Sequence, residues 1–213
     1  MPILPWVNAN DTDALAQALC ERGACCIEGL PAPMATDELR DDLRRLQAET
    51  ALAPAAVGRG THAHRADLRG DNTLWLDDPR CGAAAKQLLA ALDDLREALN
   101  PRLFLGLTDI EAHYAAYPPG AGYTRHRDRF RDDDARLLSS RALSSRMLSL
   151  VSYLNDDWRA ADGGALRLHL DYGAIDILPL GGTSVCFLSE LEHEVLPAKR
   201  ERLSIAAWFR RGC

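Results

Sequence analysis

A chain of 213 residues is long enough for one domain, or one domain with a helical extension, and hides roughly 70% of the surface its unfolded form exposes. An apolar share of 47% and a charged share of 26% exclude a disordered chain, a collagen-like repeat and a chain held up by disulfides. The formal charge of −6 argues against a nucleic-acid partner, which wants a net basic face, and no apolar run approaches the roughly 18–20 residues of a membrane helix. The opening Met1-Pro-Ile-Leu-Pro-Trp6 lacks the basic stretch and apolar segment of a secretory signal, so a soluble cytoplasmic protein with no membrane partner is expected. The cysteines form no C-x-x-C pair, which speaks against a cysteine zinc site, and Cys20, Cys26 and Cys186 read as small buried hydrophobes.

In chain order, Asp11 or Thr12 can cap a first helix that sets Leu15 and Leu19 on one face. Cys25-Cys26-Ile27 reads as a short buried strand before Gly29. Thr36 is placed as the cap of a second helix, with Asp37 and Glu38 in its first turn and Leu39, Leu43 and Leu46 along one stripe. A third helix is expected over 83–99, carrying Leu88, Leu92, Leu95 and Leu99, and ending before Pro101 because the residue ahead of a proline disfavours the helical conformation. The three stripes are core packing. Between the second and third helices, Ala55–Asp71 is polar and holds Gly58, Gly60 and Gly70; it is either a mobile functional loop or a solvated connector.

After residue 103 the texture changes. Glu111–Tyr117, Tyr123–Arg125, Met147–Leu154, Ala165–Leu170, Ala174–Ile177, Thr183–Leu188, Glu192–Leu196 and Leu203–Phe209 are short apolar runs separated by turn residues. Such spacing suggests a β-sandwich or barrel, and Leu166, Leu168 and Leu170 alternate as a half-buried strand does. The fold class is therefore α+β: N-terminal packing helices over 1–102, with a loop over 55–75, and a jelly-roll or cupin-like double-stranded β-helix over 103–213, together one structural unit.

Of the histidines His62, His64, His113, His126, His169 and His193, only His126 has a ready reason to be chemical. It lies two residues before Asp128 near a strand end, and residues i and i+2 of a strand share a face. His193 sits in a short strand far along the chain and is the candidate third ligand. Two imidazoles and one carboxylate leave adjacent positions of a metal open, which suits non-haem Fe(II) oxygen chemistry better than a closed zinc site. Arg202 opens the last strand. It is read either as a surface partner of Glu201 or Glu194, or as a buried guanidinium near the metal, which would need a carboxylate that a dicarboxylic co-substrate could supply. Tyr153 could add a phenol hydrogen bond to the same carboxylate.

The stretches Tyr117-Pro-Pro-Gly-Ala-Gly-Tyr-Thr-Arg-His126-Arg-Asp128, Leu150-Val-Ser-Tyr153-Leu-Asn-Asp-Asp-Trp158, Asp162-Gly-Gly, His193-Glu-Val-Leu-Pro-Ala and Arg202 to Trp208 together resemble the 2-oxoglutarate and Fe(II)-dependent oxygenases. The nearest likeness is to prolyl 4-hydroxylases of the oxygen-sensing type and their bacterial relatives, and it extends to Leu68-Arg69-Gly70-Asp71-Asn-Thr-Leu-Trp75. The resemblance implies that His126, Asp128 and His193 ligate Fe(II), that Arg202 and Tyr153 hold the far carboxylate of 2-oxoglutarate, and that Tyr117 and Tyr123 line the co-substrate and substrate pocket. It implies that Trp208 packs over the iron, with ordinary aromatic packing the alternative for Tyr117, Tyr123 and Trp208. Arg69 and Asp71 would belong to the substrate side, and 55–75 to a lid over a bound peptide. The implied reaction consumes O2, is supported by ascorbate, releases succinate and CO2, and hydroxylates carbon 4 of a prolyl residue in a protein or peptide. The segment Arg129–Arg146 is longer than in the oxygen-sensing enzymes and the Tyr117–His126 turn is shorter; both departures bear on the substrate. Two other readings remain: the same chemistry on a small molecule, a free amino acid or a nucleobase, and a cupin-like metal-binding module without turnover, perhaps using His62, His64 and His169.

Overall fold

The computed structural model describes residues 3–55, 68–129 and 145–212. The elements are β1 (Trp6–Asn8), α1 (Thr12–Arg22), β2 (Ala24–Glu28), α2 (Pro33–Ala48), β3 (Ala53–Pro54), β4 (Asn72–Trp75), α3 (Ala83–Leu103), β5 (Leu107–Tyr117), β6 (Tyr123–His126), β7 (Arg146–Tyr153), β8 (Leu166–Leu170), β9 (Gly173–Ile177), β10 (Thr183–Leu188), β11 (Glu192–Val195) and β12 (Arg202–Arg211). All eight apolar runs after residue 103 are strands. They form two sheets, one ordered β1-β2-β10-β7-β12-β5-β4-β3 and one ordered β6-β11-β8-β9. This is the expected jelly roll. The first hundred residues contribute more than support, because β1 to β4 are strands of the larger sheet.

Each helix follows from local chemistry. Asp11 caps α1 by accepting from the Ala14 N–H at 2.9 Å, and Gly23 closes it at φ 74. Thr36 does not cap α2: Pro33 occupies its first turn, Ala32 is the N-cap, and the Thr36 hydroxyl donates to the Ala32 carbonyl at 3.3 Å from inside the helix. The proline pre-set for the first turn outweighs the hydroxyl. Helix α3 also differs from expectation by running through Pro101 to Leu103. In the last turn a missing N–H forfeits a single bond, and the Asn100 side chain ties the exit by bonding both the N–H and the carbonyl of Leu107. Cys20 is exposed rather than buried, on the side of α1 away from Leu15, Ala16, Ala18 and Leu19.

The larger sheet has two different faces. Leu203, Ile205, Ala207 and Phe209 of β12 join Ala112, Tyr114 and Ala116 of β5 and Leu148 and Leu150 of β7 in one core with the leucines of all three helices. Each such leucine contributes roughly 1.5–3 kcal/mol on burial. The opposite face looks into the sandwich, where Tyr117, Tyr153, Val185 and Phe187 pack with Leu166, Leu168 and Val195 of the smaller sheet. The intervening residues of β12, Arg202, Ser204 and Trp208, are buried on that inner face although polar or amphipathic.

Candidate metal centre and active site

The metal candidates are brought together by the pairing of β6 with β11, which sets His126 directly opposite His193, with Asp128 just past the end of β6. One ligand atom from each of His126, Asp128 and His193 lies within 4.8 Å of the others. The two Nε2 atoms face the carboxylate, His126 at 3.7 Å from Oδ1 and His193 at 3.5 Å from Oδ2. Both imidazoles are oriented in the same way. His126 Nδ1 lies 2.7 Å from the Thr124 carbonyl and His193 Nδ1 lies 3.0 Å from that of Leu191, so each Nδ1–H donates to backbone and each Nε2 lone pair is free for a metal. Tyr123 stacks on His126 with ring centroids 3.5 Å apart, and Phe187 meets His193 edge-on at 4.8 Å.

Protonation suits the same role. Burial, together with neighbouring His193, pulls His126 down to about 4. Burial alone would raise the Asp128 carboxyl, but His193, His126 and Arg146 outweigh it and hold it well below the usual carboxylate range. A neutral imidazole and an ionised carboxylate at neutral pH are the ligand forms a divalent metal requires.

Deeper in the sandwich, Arg202 is 1% exposed. Its Nε donates to the Gly164 carbonyl at 2.9 Å and its Nη1 to Ser204 Oγ at 3.0 Å, while Nη2 is buried with no partner among the described residues. Gly164 sits at φ +71, and a Cβ there would come 2.9 Å from the Ala198 Cβ, so glycine is what lets this backbone approach the guanidinium. The guanidinium carbon lies 5.3 Å from the Tyr117 ring and 5.2 Å from the Tyr153 ring. The Tyr153 hydroxyl is also buried with no partner among the described residues, and burial raises both phenols so that they stay protonated donors. Among the described residues no carboxylate pairs with Arg202. Glu201 is held by Arg44 and Gln47, and Glu194 by His169, so neither surface partner considered from the sequence engages it. His169 is thereby accounted for away from the triad, and His62 and His64 lie outside the described residues.

One pocket, partly open to solvent, is lined by both the triad and Arg202. Tyr117, Tyr123, Trp208 and Arg69 line it, and Asp71 and Tyr153 do not. Asp71 instead grips Arg69 through two oxygens at 2.6 and 2.8 Å, and Arg69 Nη2 reaches His113 Nε2 at 3.1 Å. The Arg69 guanidinium lies over the Tyr123 ring at 5.0 Å. Trp208 stacks under Arg146 at 3.7 Å and packs against His113 at 5.2 Å. Its Nε1 has no partner of hydrogen-bond geometry, yet the N–H adds to the field favouring ionised Asp128. Of the expected loop over 55–75, residues 56–67 lie outside the described residues and Asn72–Trp75 is strand β4, and the extended segment over 129–146 falls mostly outside the described residues.

Four further groups were not anticipated from the sequence. Ser149 donates to Asp128 Oδ2 at 2.7 Å and lies 2.8 Å from the Ser189 hydroxyl. His113 lines the pocket, and Glu111 forms a buried pair with Arg146 at 2.8 Å. The period of two was the available signal: Glu111 and His113 share a face with Tyr117, and Ser149 with Tyr153.

The donor set fits Fe(II), and the buried Arg202 Nη2 and Tyr153 hydroxyl, which have no partner among the described residues, fit a carboxylate-bearing co-substrate. Residues 112–210 match the 2OG-Fe(II) oxygenase superfamily. The chain is 28% identical over 201 residues to Egl nine homolog 1 of Homo sapiens, covering 89% of this chain and 44% of the relative. It is 27% identical to the Rattus norvegicus counterpart, again over 89% of this chain and 55% of the other. It therefore spans about half the length of these curated relatives. A Pseudomonas putida prolyl-4-hydroxylase structure superposes with TM-score 0.81 at 44% identity, covering 94% of this chain and 99% of that one. A Trichoplax adhaerens prolyl hydroxylase, in complex with a hypoxia inducible factor oxygen degradation domain peptide fragment, superposes with TM-score 0.78 at 26% identity over 94% of this chain and 91% of that one. With the His-Asp-His cluster in one pocket, this likeness along nearly the whole chain makes it a member of the 2-oxoglutarate and Fe(II)-dependent oxygenase superfamily, in the prolyl hydroxylase branch.

Proposed function

We propose that the chain hydroxylates carbon 4 of a prolyl residue in a protein or peptide. Bound Fe(II) and 2-oxoglutarate supply the oxidising power: O2 is consumed, 2-oxoglutarate becomes succinate and CO2, and one oxygen atom enters the C–H bond. His126, Asp128 and His193 would hold the metal, which would supply the site for oxygen chemistry. Arg202 and the Tyr153 hydroxyl hold the distal carboxylate of 2-oxoglutarate, and Tyr117 closes over the co-substrate. Tyr123, Trp208 and Arg69 form the wall toward the substrate, with Asp71 fixing Arg69. Ascorbate supports turnover by keeping the metal ferrous.

The observation that carries this reading is the buried Arg202 Nη2, which has no partner among the described residues and belongs to a guanidinium lining the same pocket as the triad, with the equally unpartnered Tyr153 hydroxyl on a ring 5.2 Å from that guanidinium. A buried guanidinium without a counter-charge is costly, and a two-oxygen anion removes that cost. The relatives named above support the prolyl substrate, and the peptide held by the Trichoplax enzyme supports a polypeptide rather than a free amino acid. The described cysteines are unpaired, which supports a reducing, cytoplasmic setting.

The test is succinate release from 2-oxoglutarate with Fe(II), O2 and ascorbate, followed by mass spectrometry of cell-extract proteins for prolines that gain one oxygen atom. Turnover in the parent, its loss in Asp128→Ala and a raised 2-oxoglutarate requirement in Arg202→Ala are expected. Equal succinate release from all three would overturn the oxygenase reading, and turnover without oxidised proline would overturn the substrate.

A further inference from the structure

We propose that Ser149 and Ser189 are positioning residues that fix Asp128 as a one-oxygen metal ligand, and that the turn carrying Ser189 sets Asp128 and His193 as a unit. This rests on the metal-dependent reading above. Ser149 and Ser189 are 1% and 0% exposed, so neither hydroxyl can turn to water. A hydroxyl has one proton to give, and an ionised carboxylate only accepts. Ser149 therefore gives its proton to Asp128 Oδ2 at 2.7 Å, and the 2.8 Å contact between the serines must run from Ser189 to Ser149. Both protons point toward the carboxylate, and each bond polarises the next. Oδ2 thus carries the serine's hydrogen bond. Oδ1 faces His126 Nε2 at 3.7 Å and Arg146 Nη1 at 4.0 Å, neither within hydrogen-bond distance, and is left for the metal.

The backbone adds a second hold from the same residue. The Ser189 carbonyl accepts from the N–H of Asp128 at 3.1 Å and of Arg129 at 2.9 Å, and the Ser189 N–H donates to the Met147 carbonyl at 3.1 Å. Two residues on, the Leu191 carbonyl orients His193 through Nδ1 at 3.0 Å, and the Leu191 N–H closes the turn on the Leu188 carbonyl at 2.9 Å. One short turn between β10 and β11 therefore grips two of the three ligands, which come from opposite ends of the β-rich region.

The experiment titrates the metal-free protein with Co(II), reading the dissociation constant and the visible absorption of the bound ion. Ser149→Ala should weaken Co(II) by about 10- to 100-fold, the usual range for losing a group that orients a ligand. It should also change the absorption, because a released Oδ2 lets Asp128 bind through both oxygens. Ser189→Ala should weaken binding by less, and the double variant should be no weaker than Ser149→Ala, because Ser189 acts through Ser149. Ser149→Thr, which keeps the hydroxyl, should bind as the parent does. Unchanged affinity and spectrum in Ser149→Ala, or an added loss in the double variant, overturns the inference. Should Ser149→Ala not fold, Ser189→Ala decides alone, and an affinity equal to the parent's overturns it. A parent that binds no Co(II) overturns the proposed function together with this inference, whereas a tight-binding parent with an equally tight Ser149→Ala overturns only the inference.

Discussion

Along β12, neighbouring residues answer to opposite requirements. Leu203, Ile205, Ala207 and Phe209 complete a hydrocarbon layer with the helices, while Arg202, Ser204 and Trp208 turn a charge, a hydroxyl and an indole into the sandwich. The same alternation holds in β5, where Tyr114 faces the helices and His113 faces the pocket. The outward face is satisfied by its own packing. The inward face holds donors that have no partner among the described residues, so one face encodes stability and the other a binding surface.

The sharpest test of that division removes hydrocarbon from the outward face. Ile205→Ala should cost about 3–4 kcal/mol in urea unfolding, as large-to-small core changes do, with the 2-oxoglutarate KM unchanged below the melting transition. Arg202→Met should do the reverse. The KM for 2-oxoglutarate should rise on the order of 100-fold, the loss of a charge-assisted pair, without loss of stability, because an unpaired buried charge gives way to an apolar side chain. A destabilised Arg202→Met with normal KM would dissolve the comparison.

A smaller effect comes from His113, pulled down to about 3 by burial first and by the Arg69 charge second. The folded state keeps it neutral while the unfolded chain protonates it below about 6.5, so its contribution is present above that value and is lost as pH falls toward 3. Between pH 6.5 and 5 the metal-free parent should lose roughly 1.5 kcal/mol more than His113→Gln in urea midpoints. Equal losses would show that His113 does not titrate between the two states. The smallest effect is reserved for the half-exposed Arg167–Asp176 pair on β8 and β9, where Arg167→Ala should change stability by less than about 0.5 kcal/mol and leave KM alone.

The strands were legible because apolar alternation and turn residues are local signals. Asp11 and the leucine stripes were legible for the same reason. Thr36 and Pro101 misled, since each weighs one residue's preference against a whole helix: Pro33 supplied a better first turn, and Asn100 offset what Pro101 removed. Of the site, His126 and Asp128 stood out by their spacing and Arg202 by needing an anion. Ser149 and Ser189 carry no such mark. A serine in a strand is an ordinary residue until the fold brings a carboxylate within 2.7 Å of its hydroxyl. Arg146 was grouped with the charged segment before it, and only the sheet discloses Glu111 as its partner.

The place of β12 also bears on how the chain assembles. It pairs on one side with β5 from Arg202↔Tyr117 to Arg211↔Leu107, and on the other with β7 from Ser204↔Tyr153 to Arg210↔Arg146, although it follows both in sequence. Until it inserts, β5 and β7 are two separate rims with bare amides, the kind of edge that invites pairing between molecules. Closing that gap joins distant segments, a slow event governed by loop entropy, and it delivers Arg202 to the pocket in the same motion. The strand that covers both edges is thus the one that carries Arg202 into the pocket, so the two cannot be had separately.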